Sequence, residues 1–481
     1  MIEPNKPSQP RPDMPALDPA LNRPDSGRSA HVSLEGVHGS IAVPHHQAGF
    51  WEQWRAFVGP AILVSVGYMD PGNWGTDLQA GAQFKYGLLW IVGLASLMAI
   101  FMQVISARLG VVTGKDLAQC CRDWYPAWTR WPNWLMSELA IGACDLAEVL
   151  GSAVALNLMF HIPMLWAVII TGLDVLLLLG LQSFGMRTIE AVVLVLIATI
   201  AGCYFIEIFV LPQTQPSFLE MGRALVTPHF GHVGMLYVAI GIIGATVMPH
   251  NLYLHSALVQ SRKLQKDEPS IRSAIRFNTI DSIVALTIAF FVNAAILVLA
   301  ATVFFGKESV AASGGRLIHF AADSDWIRVA YLTLAPLLGT AAASTLFAVA
   351  LLASGQSSTI TGTLAGQVVM EGFMHWRIQP WVRRLITRTL AILPAVFIIG
   401  IRGNSSVTEL LTLSQVVLAL QLPFAMFPLL HFTSSGKRMG TWKNGVFLLF
   451  AGWASAILIT AMDIYGLPDS LKAAWHVIIG G

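Results

Sequence analysis

Two interruptions of long apolar segments carry the residues with the clearest potential for chemistry. One segment is broken at Asp70-Pro-Gly-Asn73, and another at Ala245-Thr-Val-Met248-Pro. Proline and glycine both disrupt a helix there, and backbone groups freed at membrane depth must line a cavity or be buried in protein. The Asp70 carboxylate, the Asn73 amide oxygen, main-chain carbonyls near Asp70 and Ala245, and the Met248 thioether could therefore bind a cation together.

The chemistry of these ligands indicates a transition metal. Thioether sulfur favours late transition metals, whereas Ca²⁺ and Mg²⁺ prefer oxygen ligands. A carboxylate inside a membrane is costly and is usually functional. Two plainer interpretations stay open: Asp70 and Asn73 could only cap the following half-helix, and Met248 could only pack against its neighbours.

A second group of polar residues lies on a third apolar segment. Spacings of seven and three residues place Glu138, Asp145 and Glu148 along one face of a helix. Acidic chains inside membrane helices are typical of proton relays. The cations expected as their partners are Arg262, Arg383, Arg384 and Arg388. A set of purely structural salt bridges is the alternative.

Two further side chains complete the candidate site. His250 follows the second interruption, and because histidine titrates near neutral pH we expect it to move protons or to gate the site. His255, five residues later, is expected to be structural. Gln415, in another apolar segment, either adds an oxygen to the site or only bridges two helices.

Long apolar helices are the elements that must position these residues. The 481-residue chain is 55% hydrophobic and only 12% charged, against about 25% charged in soluble domains, so a soluble fold is excluded. We predict eleven membrane helices, approximately 54–82, 87–113, 135–160, 163–183, 188–211, 233–262, 279–305, 332–369, 383–401, 407–431 and 444–465. The chain has no activated nucleophile and no zinc-enzyme motif, so we expect a transporter and not an enzyme. A net charge of +2 does not indicate nucleic acid as a partner.

The two interruptions lie five helices apart, so the helices that contain them cross the membrane in opposite senses. That parity predicts an inverted repeat of five plus five helices whose broken helices meet at mid-membrane. The repeats would span about 54–211 and 233–431, followed by an extra helix at about 444–465. Residues 1–48 are polar and are predicted to form a disordered cytoplasmic tail, which leaves 49–481 as the transporter domain.

Basic residues predict the orientation. If the N-terminus is cytoplasmic, the inner loops carry 17 Lys and Arg residues and the outer loops with the C-terminus carry 7. Cytoplasmic loops are usually the basic ones, so a cytoplasmic N-terminus and an external C-terminus are favoured. Short loops and compact termini are typical of a bacterial protein, which places it in the cytoplasmic (inner) membrane.

Several motifs resemble those of the Nramp metal transporters. Gly67-Tyr-Met-Asp70-Pro-Gly-Asn73-Trp is similar to the first-helix signature of that family, and Met248-Pro-His250-Asn to its sixth-helix signature. Further similar segments are Thr113-Gly-Lys-Asp-Leu-Ala, Asp145-Leu-Ala-Glu148-Val-Leu-Gly and Gly355-Gln-Ser-Ser-Thr-Ile-Thr-Gly. The similarity covers about residues 50–465, nearly the whole membrane region.

The resemblance implies a LeuT-like fold and proton-driven uptake of Mn²⁺ and Fe²⁺, with Cd²⁺ and Co²⁺ as further substrates. It implies metal binding by Asp70, Asn73, the Ala245 carbonyl and Met248, with Gln415 joining in closed states. Proton movement would use Asp70, His250, Asp145 and Glu148. No cofactor is expected; the partners would be divalent metal ions, protons and the lipid bilayer, with the protein acting as a monomer.

A sodium-coupled symporter of amino acids or other organic solutes, with the same fold, is the main alternative. In that case Asp70 would neutralise an amine or a sodium ion. Met248 is poorly explained by this alternative, because sodium prefers oxygen ligands. A passive metal channel is a further alternative, against which the acidic face of the third helix argues.

Overall fold

Helices dominate the computed structural model of the chain. It describes residues 38–44, 48–173, 186–205, 216–231, 234–265, 267–311, 317–319, 324–338, 341–403 and 407–479. Within those ranges, seven helices are long and apolar enough to cross a membrane. The predicted count of eleven stays a prediction, because the fourth and fifth predicted helices extend beyond the described residues.

The described helices fall into two halves of the chain. The first half contains α1 (Phe50–Phe57), α2 (Pro60–Gly67), α3 (Pro71–Phe84), α4 (Leu89–Thr113), α5 (Leu117–Trp124), α6 (Arg130–Phe160), α7 (Met164–Ile170), α8 (Met186–Phe205) and α9 (Phe218–Val226). The second half contains α10 (Met235–Val247), α11 (Pro249–Leu258), α12 (Glu268–Val303), α13 (Trp326–Leu338), α14 (Ala341–Met374), α15 (Pro380–Arg402), α16 (Val407–Ser434), α17 (Gly436–Met439) and α18 (Val446–Ile479). Single 3-10 turns occupy Ala127–Thr129, Thr171–Leu173, Val259–Ser261 and Gly440–Trp442.

Four short strands form two separate pairs. Strand β1 (Ile41–Ala42) runs parallel to β2 (Arg262–Lys263), and β3 (Ser309–Ala311) runs antiparallel to β4 (Leu317–His319). Strand β1 differs from the expectation of a disordered tail over 1–48, because its backbone pairs with the chain that follows α11. The rest of that tail, residues 1–37 and 45–47, lies outside the described residues.

Two other boundaries differ from the predicted ones. The predicted eighth helix at 332–369 corresponds to two helices, α13 and α14, with residues 339–340 outside the description. Helix α18 continues to Ile479 and not to 465. The residues after 465 are more polar, so the apolar run that predicts the helix ends before the helix itself does.

The interruptions at Asp70 and Met248 lie where the sequence predicts them. Asp70 is the N-cap of α3 and accepts a hydrogen bond from the Asn73 backbone N–H, and Pro71 takes the first helical position. Met248 has a positive φ of 42° and separates α10 from α11, which starts with Pro249. Proline tolerates a first helical position because its missing N–H would be unpaired there anyway.

Small residues let the helices around these interruptions approach closely. Gly81 of α3 lies against the Leu297 carbonyl and Ala300 of α12, and Gly244 of α10 lies against the Gln415 carbonyl of α16. Such small-residue contacts are typical of helix packing in membranes. They hold α3, α10, α12 and α16 around one centre.

We predict that Gly81→Ala lowers the thermal unfolding midpoint, because the added methyl would overlap the backbone of α12. Overpacking of this kind costs about 1–3 kcal/mol, which exceeds the gain of about 0.5–1 kcal/mol for alanine in a helix. Gly142→Ala is the matched control, since nothing lies within 4 Å of its added methyl. Equal midpoints for the two purified variants would contradict this packing.

Candidate metal site

The interruption between α2 and α3 builds one side of the site. Asp70 Oδ1 accepts hydrogen bonds from the Asn73 backbone N–H and from Asn73 Nδ2, both at 2.8 Å. The same Asn73 Nδ2 donates to the Ala245 carbonyl at 2.9 Å. Asn73 therefore joins the two interrupted helices, and it places a carboxylate beside a main-chain carbonyl.

The interruption between α10 and α11 builds the other side. Met248 Sδ lies 3.3 Å from Asn251 Nδ2, and a Cβ built on Gly67 would be 3.1 Å from this sulfur. The thioether thus packs against the end of α2, three residues before Asp70. This contact depends on Gly67 having no side chain.

Gln415 of α16 closes the site from a third direction. Its amide lies against the backbone of Gly72, where a Cβ would collide with it. Its Nε2 donates to Ser414 Oγ at 2.9 Å, while its Oε1 has no hydrogen-bond partner among the described residues. An oxygen is therefore available beside the first turn of α3.

The five predicted ligands converge in the interior. Asp70, Ala245, Met248 and Gln415 are all 0% exposed, and Asn73 is 1% exposed. Asp70 Oδ2 also lacks a hydrogen-bond partner among the residues described. Groups of three His, Cys, Asp or Glu side chains that could hold a metal are absent from the described part of the chain. The site therefore offers mixed ligands: one carboxylate, two amides, one carbonyl and one thioether.

A second layer of polar residues orients Asn73. Asn293 of α12 donates from Nδ2 to the Tyr68 carbonyl at 2.8 Å and to Asn73 Oδ1 at 3.2 Å. The Thr246 hydroxyl donates to the same Asn73 Oδ1 at 3.5 Å. These contacts hold the Asn73 amide in one orientation.

The acids of α6 form ion pairs with the start of α15. Arg383 Nη2 binds Glu138 Oε2 at 2.7 Å, and Arg384 binds both Asp145 and Glu148. Arg384 Nη2 lies 2.8 Å from Glu148 Oε2. The predicted single face of three acids is therefore lined by arginines from a neighbouring helix.

Glu148 is the most heavily bonded of these acids. Its Oε2 also accepts from the Thr359 hydroxyl at 3.0 Å and lies 3.6 Å from Arg388 Nη1. Pro71 lies against Gly151, one turn further along α6, where a Cβ would meet the proline ring. The acidic face of α6 thus passes directly beside the interruption that carries Asp70.

The two histidines of α11 have different surroundings. His250 is 1% exposed, and its Nδ1 has no partner among the described residues. His255 Nδ1 lies 2.9 Å from Gln103 Oε1, and Gln103 Nε2 donates to the Tyr68 hydroxyl at 2.7 Å. His255 therefore has a structural network, as expected, whereas His250 is left with a free ring nitrogen beside the site.

The partner predicted for Arg262 was wrong. Arg262 does not bind the acids of α6; its Nη1 lies 3.0 Å from Glu190 Oε1 of α8. Its Nε and Nη2 also donate to the Ala56 and Val58 carbonyls at 3.1 and 2.7 Å. The reason is positional: Arg262 lies in β2 against the end of α1, where Glu190 of α8 is its acidic neighbour.

Asp281 binds the chain next to the carbonyls that Arg262 binds, at the junction of α1 and α2. Asp281 Oδ2 of α12 accepts from the backbone N–H groups of Gly59 and Ala61, at 3.2 and 2.9 Å. We call Arg262, Glu190 and Asp281 the α1–α2 latch. It satisfies backbone groups at the junction of α1 and α2 that no helix can satisfy.

Sequence reasoning missed several of these residues. Glu190, Asp281, Asn293 and Gln103 are not among the residues that the sequence patterns assign to the site. The available signal was their polarity inside apolar helices, which marks a buried partner. Asp77, seven residues after Asp70 on α3, carries the same signal: it is 1% exposed and neither carboxylate oxygen has a partner among described residues.

Together these features define a class of protein: a multi-pass helical transporter in which two interrupted helices meet around a closed polar site. A family model described as "Natural resistance-associated macrophage protein-like", or Nramp, matches residues 61–469. The chain belongs to the Nramp family. Its relatives are transporters, so the prediction that it is not an enzyme is confirmed.

Two relatives show how complete the similarity is. A protein of Nostoc sp. named "Divalent metal cation transporter MntH" is 48% identical over 461 residues, covering 95% of this chain and 98% of its own length. A protein of Xanthomonas campestris with the same name is 47% identical over 457 residues, covering 94% and 97%.

Solved structures show the same fold. The manganese transporter of Eremococcus coleocola is 39% identical, with a TM-score of 0.81 over 91% of both chains. The nucleobase-cation-symport-1 transporter Mhp1 is 12% identical with a TM-score of 0.57, covering 88% of this chain and 92% of its own, and that likeness concerns the fold alone. The predicted class, an all-α membrane protein with a LeuT-like fold, is confirmed.

We predict that Gly59→Ala impairs both stability and transport. Gly59 has a φ of +135°, and a Cβ there would collide with the Glu190 carboxylate, so the variant must strain its backbone and displace Glu190 from Arg262. Such strain costs about 1–3 kcal/mol. Gly49→Ala is the matched control, with ordinary φ of −59° and open space around its Cβ.

The measurement is the thermal midpoint and the initial uptake rate of both variants beside the wild type. Gly59→Ala should lower both quantities, and Gly49→Ala should change neither. A Gly59→Ala variant with wild-type values would show that the latch does not depend on this glycine.

Proposed function

We propose that the protein imports divalent transition-metal ions, Mn²⁺ and Fe²⁺ with Cd²⁺ and Co²⁺ as further substrates, coupled to protons by alternating access. The observation that carries this proposal is the meeting of Asp70, Asn73, the Ala245 carbonyl and Met248 at two facing helix interruptions, closed from solvent. Oxygen ligands alone would suit Ca²⁺ or Mg²⁺, whereas the thioether favours a softer ion.

Binding would require a rotation of the Asn73 amide. In the structure its Nδ2 donates to Asp70 and to the Ala245 carbonyl, and an amide nitrogen that donates cannot also be a metal ligand. Turning the amide brings Oδ1 toward the cation. The Thr246 hydroxyl, which donates to Oδ1 at 3.5 Å, can then accept from Nδ2, because a hydroxyl does either. Asn293, whose Nδ2 donates to the same Oδ1 at 3.2 Å, must turn as well, so that its Oδ1, which has no partner among the described residues, accepts instead.

Proton coupling would use Asp70 and the acids of α6. A divalent ion at Asp70 favours the ionised carboxylate, so a proton held there must leave as the metal binds. His250, which follows the facing interruption, would be the first proton acceptor. Because Pro71 packs on α6, Glu148 and Asp145 would be the next acceptors, with Glu138 further along the same helix. The arginines Arg384 and Arg388 would keep these acids from accumulating negative charge in the membrane.

Release on the inner side would require the α1–α2 latch to open. Arg262, Glu190 and Asp281 hold the inner half of the first interrupted helix by its carbonyl and N–H groups. Movement of α1 and α2 exposes Asp70 only after these bonds break. Arg262 thus belongs to the gate, and not to the predicted proton path.

The membrane and the direction of transport are part of the same proposal. The excess of Lys and Arg in alternate loops supports a cytoplasmic N-terminus in a bacterial inner membrane. An inward-negative potential then favours import by about 2.3 kcal/mol per charge per 100 mV. The named relatives, divalent metal cation and manganese transporters, support the choice of substrate.

We predict that Met248→Ala lowers the selectivity for transition metals over calcium. Removing a ligand worth about 1.4 kcal/mol changes affinity about ten-fold, so Cd²⁺ uptake should weaken by at least that factor and become sensitive to excess Ca²⁺. Met98→Ala is the matched control, since Met98 is buried in apolar packing on α4. The measurement is Cd²⁺ or Mn²⁺ uptake into proteoliposomes, with and without Ca²⁺.

Three outcomes separate the candidate functions. Calcium-resistant uptake that Met248→Ala alone makes calcium-sensitive supports a thioether-containing metal site. Equal loss in Met98→Ala would assign the effect to packing. Absence of metal uptake by the wild type, together with sodium-driven uptake of an organic solute, would establish the sodium symporter instead.

We predict that Glu148→Gln uncouples protons from metal. The variant keeps the side-chain shape and removes the charge, so Mn²⁺ binding should persist while metal-driven acidification of the liposome interior falls several-fold. Asp325→Asn is the matched control, because Asp325 is a carboxylate bonded to Thr408 at 3.1 Å, away from α6. If Glu148 only supports the fold through Arg384, metal and proton fluxes should fall by the same factor.

A further inference from the structure

A short segment before α1 is bonded to the chain that follows α11. Strand β1 pairs in parallel with β2, and Ile41 lies opposite Arg262 in that register. Two residues before Ile41, the Gly39 N–H donates to the Gln260 carbonyl at 3.0 Å. Residues 38–44, which we call the inner strap, are therefore held at the end of α11 by backbone hydrogen bonds.

The inner strap also packs against α1. Val43 lies on a small apolar cluster that includes Phe57 of α1 and Phe277 of α12. A cavity of about 260 Å³ interrupts this contact, with Val43, Phe57 and Ser273 among its lining residues. Atoms that face a void lose dispersion contacts. The packing of the strap is therefore incomplete, which suits a contact that forms and breaks.

Strand β2 carries the arginine of the α1–α2 latch. Arg262 is 3% exposed, and its side chain donates to the Ala56 and Val58 carbonyls at the end of α1. The strand has only two residues, and an isolated pair of strands is marginally stable in water. Pairing with β1 therefore helps to fix the backbone from which the Arg262 side chain reaches α1.

The inner strap thus bridges the boundary that must open when the site faces inward. Strand β2 and α12 lie on one side of this boundary, and α1 lies on the other. Only six residues, 44–49, connect Val43 to the start of α1 at Phe50. If α1 moves away from Arg262, it must either separate from Val43 or carry the strap away from β2, and both changes break contacts.

From these contacts we infer that the inner strap controls how often the site opens toward the inner side. While the strap is paired with β2, it holds α1 against the α1–α2 latch. Release of the strap precedes the movement of α1 and α2. The inference rests on the alternating access given under Proposed function, and it gives the residues before α1 a conformational role in transport.

The test is hydrogen–deuterium exchange of the full-length protein in nanodiscs. Gly39→Pro removes the N–H that bonds to Gln260, and proline cannot adopt the φ of +65° found at Gly39. The buried amides of α2 should exchange through opening of the inner side, so their exchange should accelerate about ten-fold in this variant. Exchange in α3 should keep its wild-type rate, because α3 stays packed on α12 through Gly81.

The matched control is Gly403→Pro, at the end of α15. This variant also removes one backbone hydrogen bond, from the Gly403 N–H to the Ile399 carbonyl at 2.9 Å, and a positive φ of 76°. It should leave α2 exchange at the wild-type rate. Equal acceleration of α2 exchange in the two variants would overturn the inference. An equal rise in α2 and α3 in Gly39→Pro would do so too, since the strap would then only support the fold.

A second variant decides if Gly39→Pro does not fold. Val43→Ala keeps the backbone pairing and removes packing on Phe57, so α2 exchange should accelerate about three-fold. Wild-type exchange of α2 in this variant would reject the strap. The exchange measurement uses no metal and is therefore separate from the substrate. Absence of Mn²⁺ uptake by the wild type would reject the proposed function and leave the exchange result standing.

Discussion

The structure depends on how backbone groups are satisfied where two membrane helices stop. Lipid supplies no hydrogen bonds at that depth, so each N–H freed at Asp70 and Met248 needs an acceptor in the protein, and each freed C=O needs a donor or a cation. Asn73 satisfies some of these groups, because its Nδ2 donates both to Asp70 Oδ1 and to the Ala245 carbonyl. The carbonyls and carboxylates gathered for this reason are also the ligands of the proposed cation site, so the same atoms would serve the fold and the binding of the ion.

The same constraint explains the charged residues around the site. A buried ion pair does not stabilise a fold by much, but an unpaired buried charge is strongly destabilising. The acids of α6 therefore come with arginines from α15, and the buried N–H groups of Gly59 and Ala61, which no helix bond satisfies, come with Asp281. Each of these bonds joins two helices. Under alternating access, those helices would have to move relative to one another as the site opens first to one side of the membrane and then to the other.

The sequence predicted the interruptions, the facing ligands and the acidic face of α6, because proline, glycine and carboxylates in apolar segments are strong local signals. It did not predict that Arg262 binds Glu190, because this contact joins residues 72 positions apart and sequence spacing contains no information about it. It also missed strand β1, whose two residues pair only through the fold. The predictable features were local, and the missed ones depend on tertiary contacts.

The bonding of the two central acids implies an order of events for coupling. Glu148 is surrounded by Arg384, Arg388 and Thr359, whereas Asp70 has a carboxylate oxygen without a partner among the described residues. A cation is therefore drawn to Asp70 and not to Glu148. In the proposed mechanism, a proton that reaches Glu148 would neutralise the carboxylate and weaken its bond to Arg384, so proton transfer would also loosen the contact between α6 and α15. Coupling would then use the contact between α6 and α15 in addition to the movement of α1 and α2.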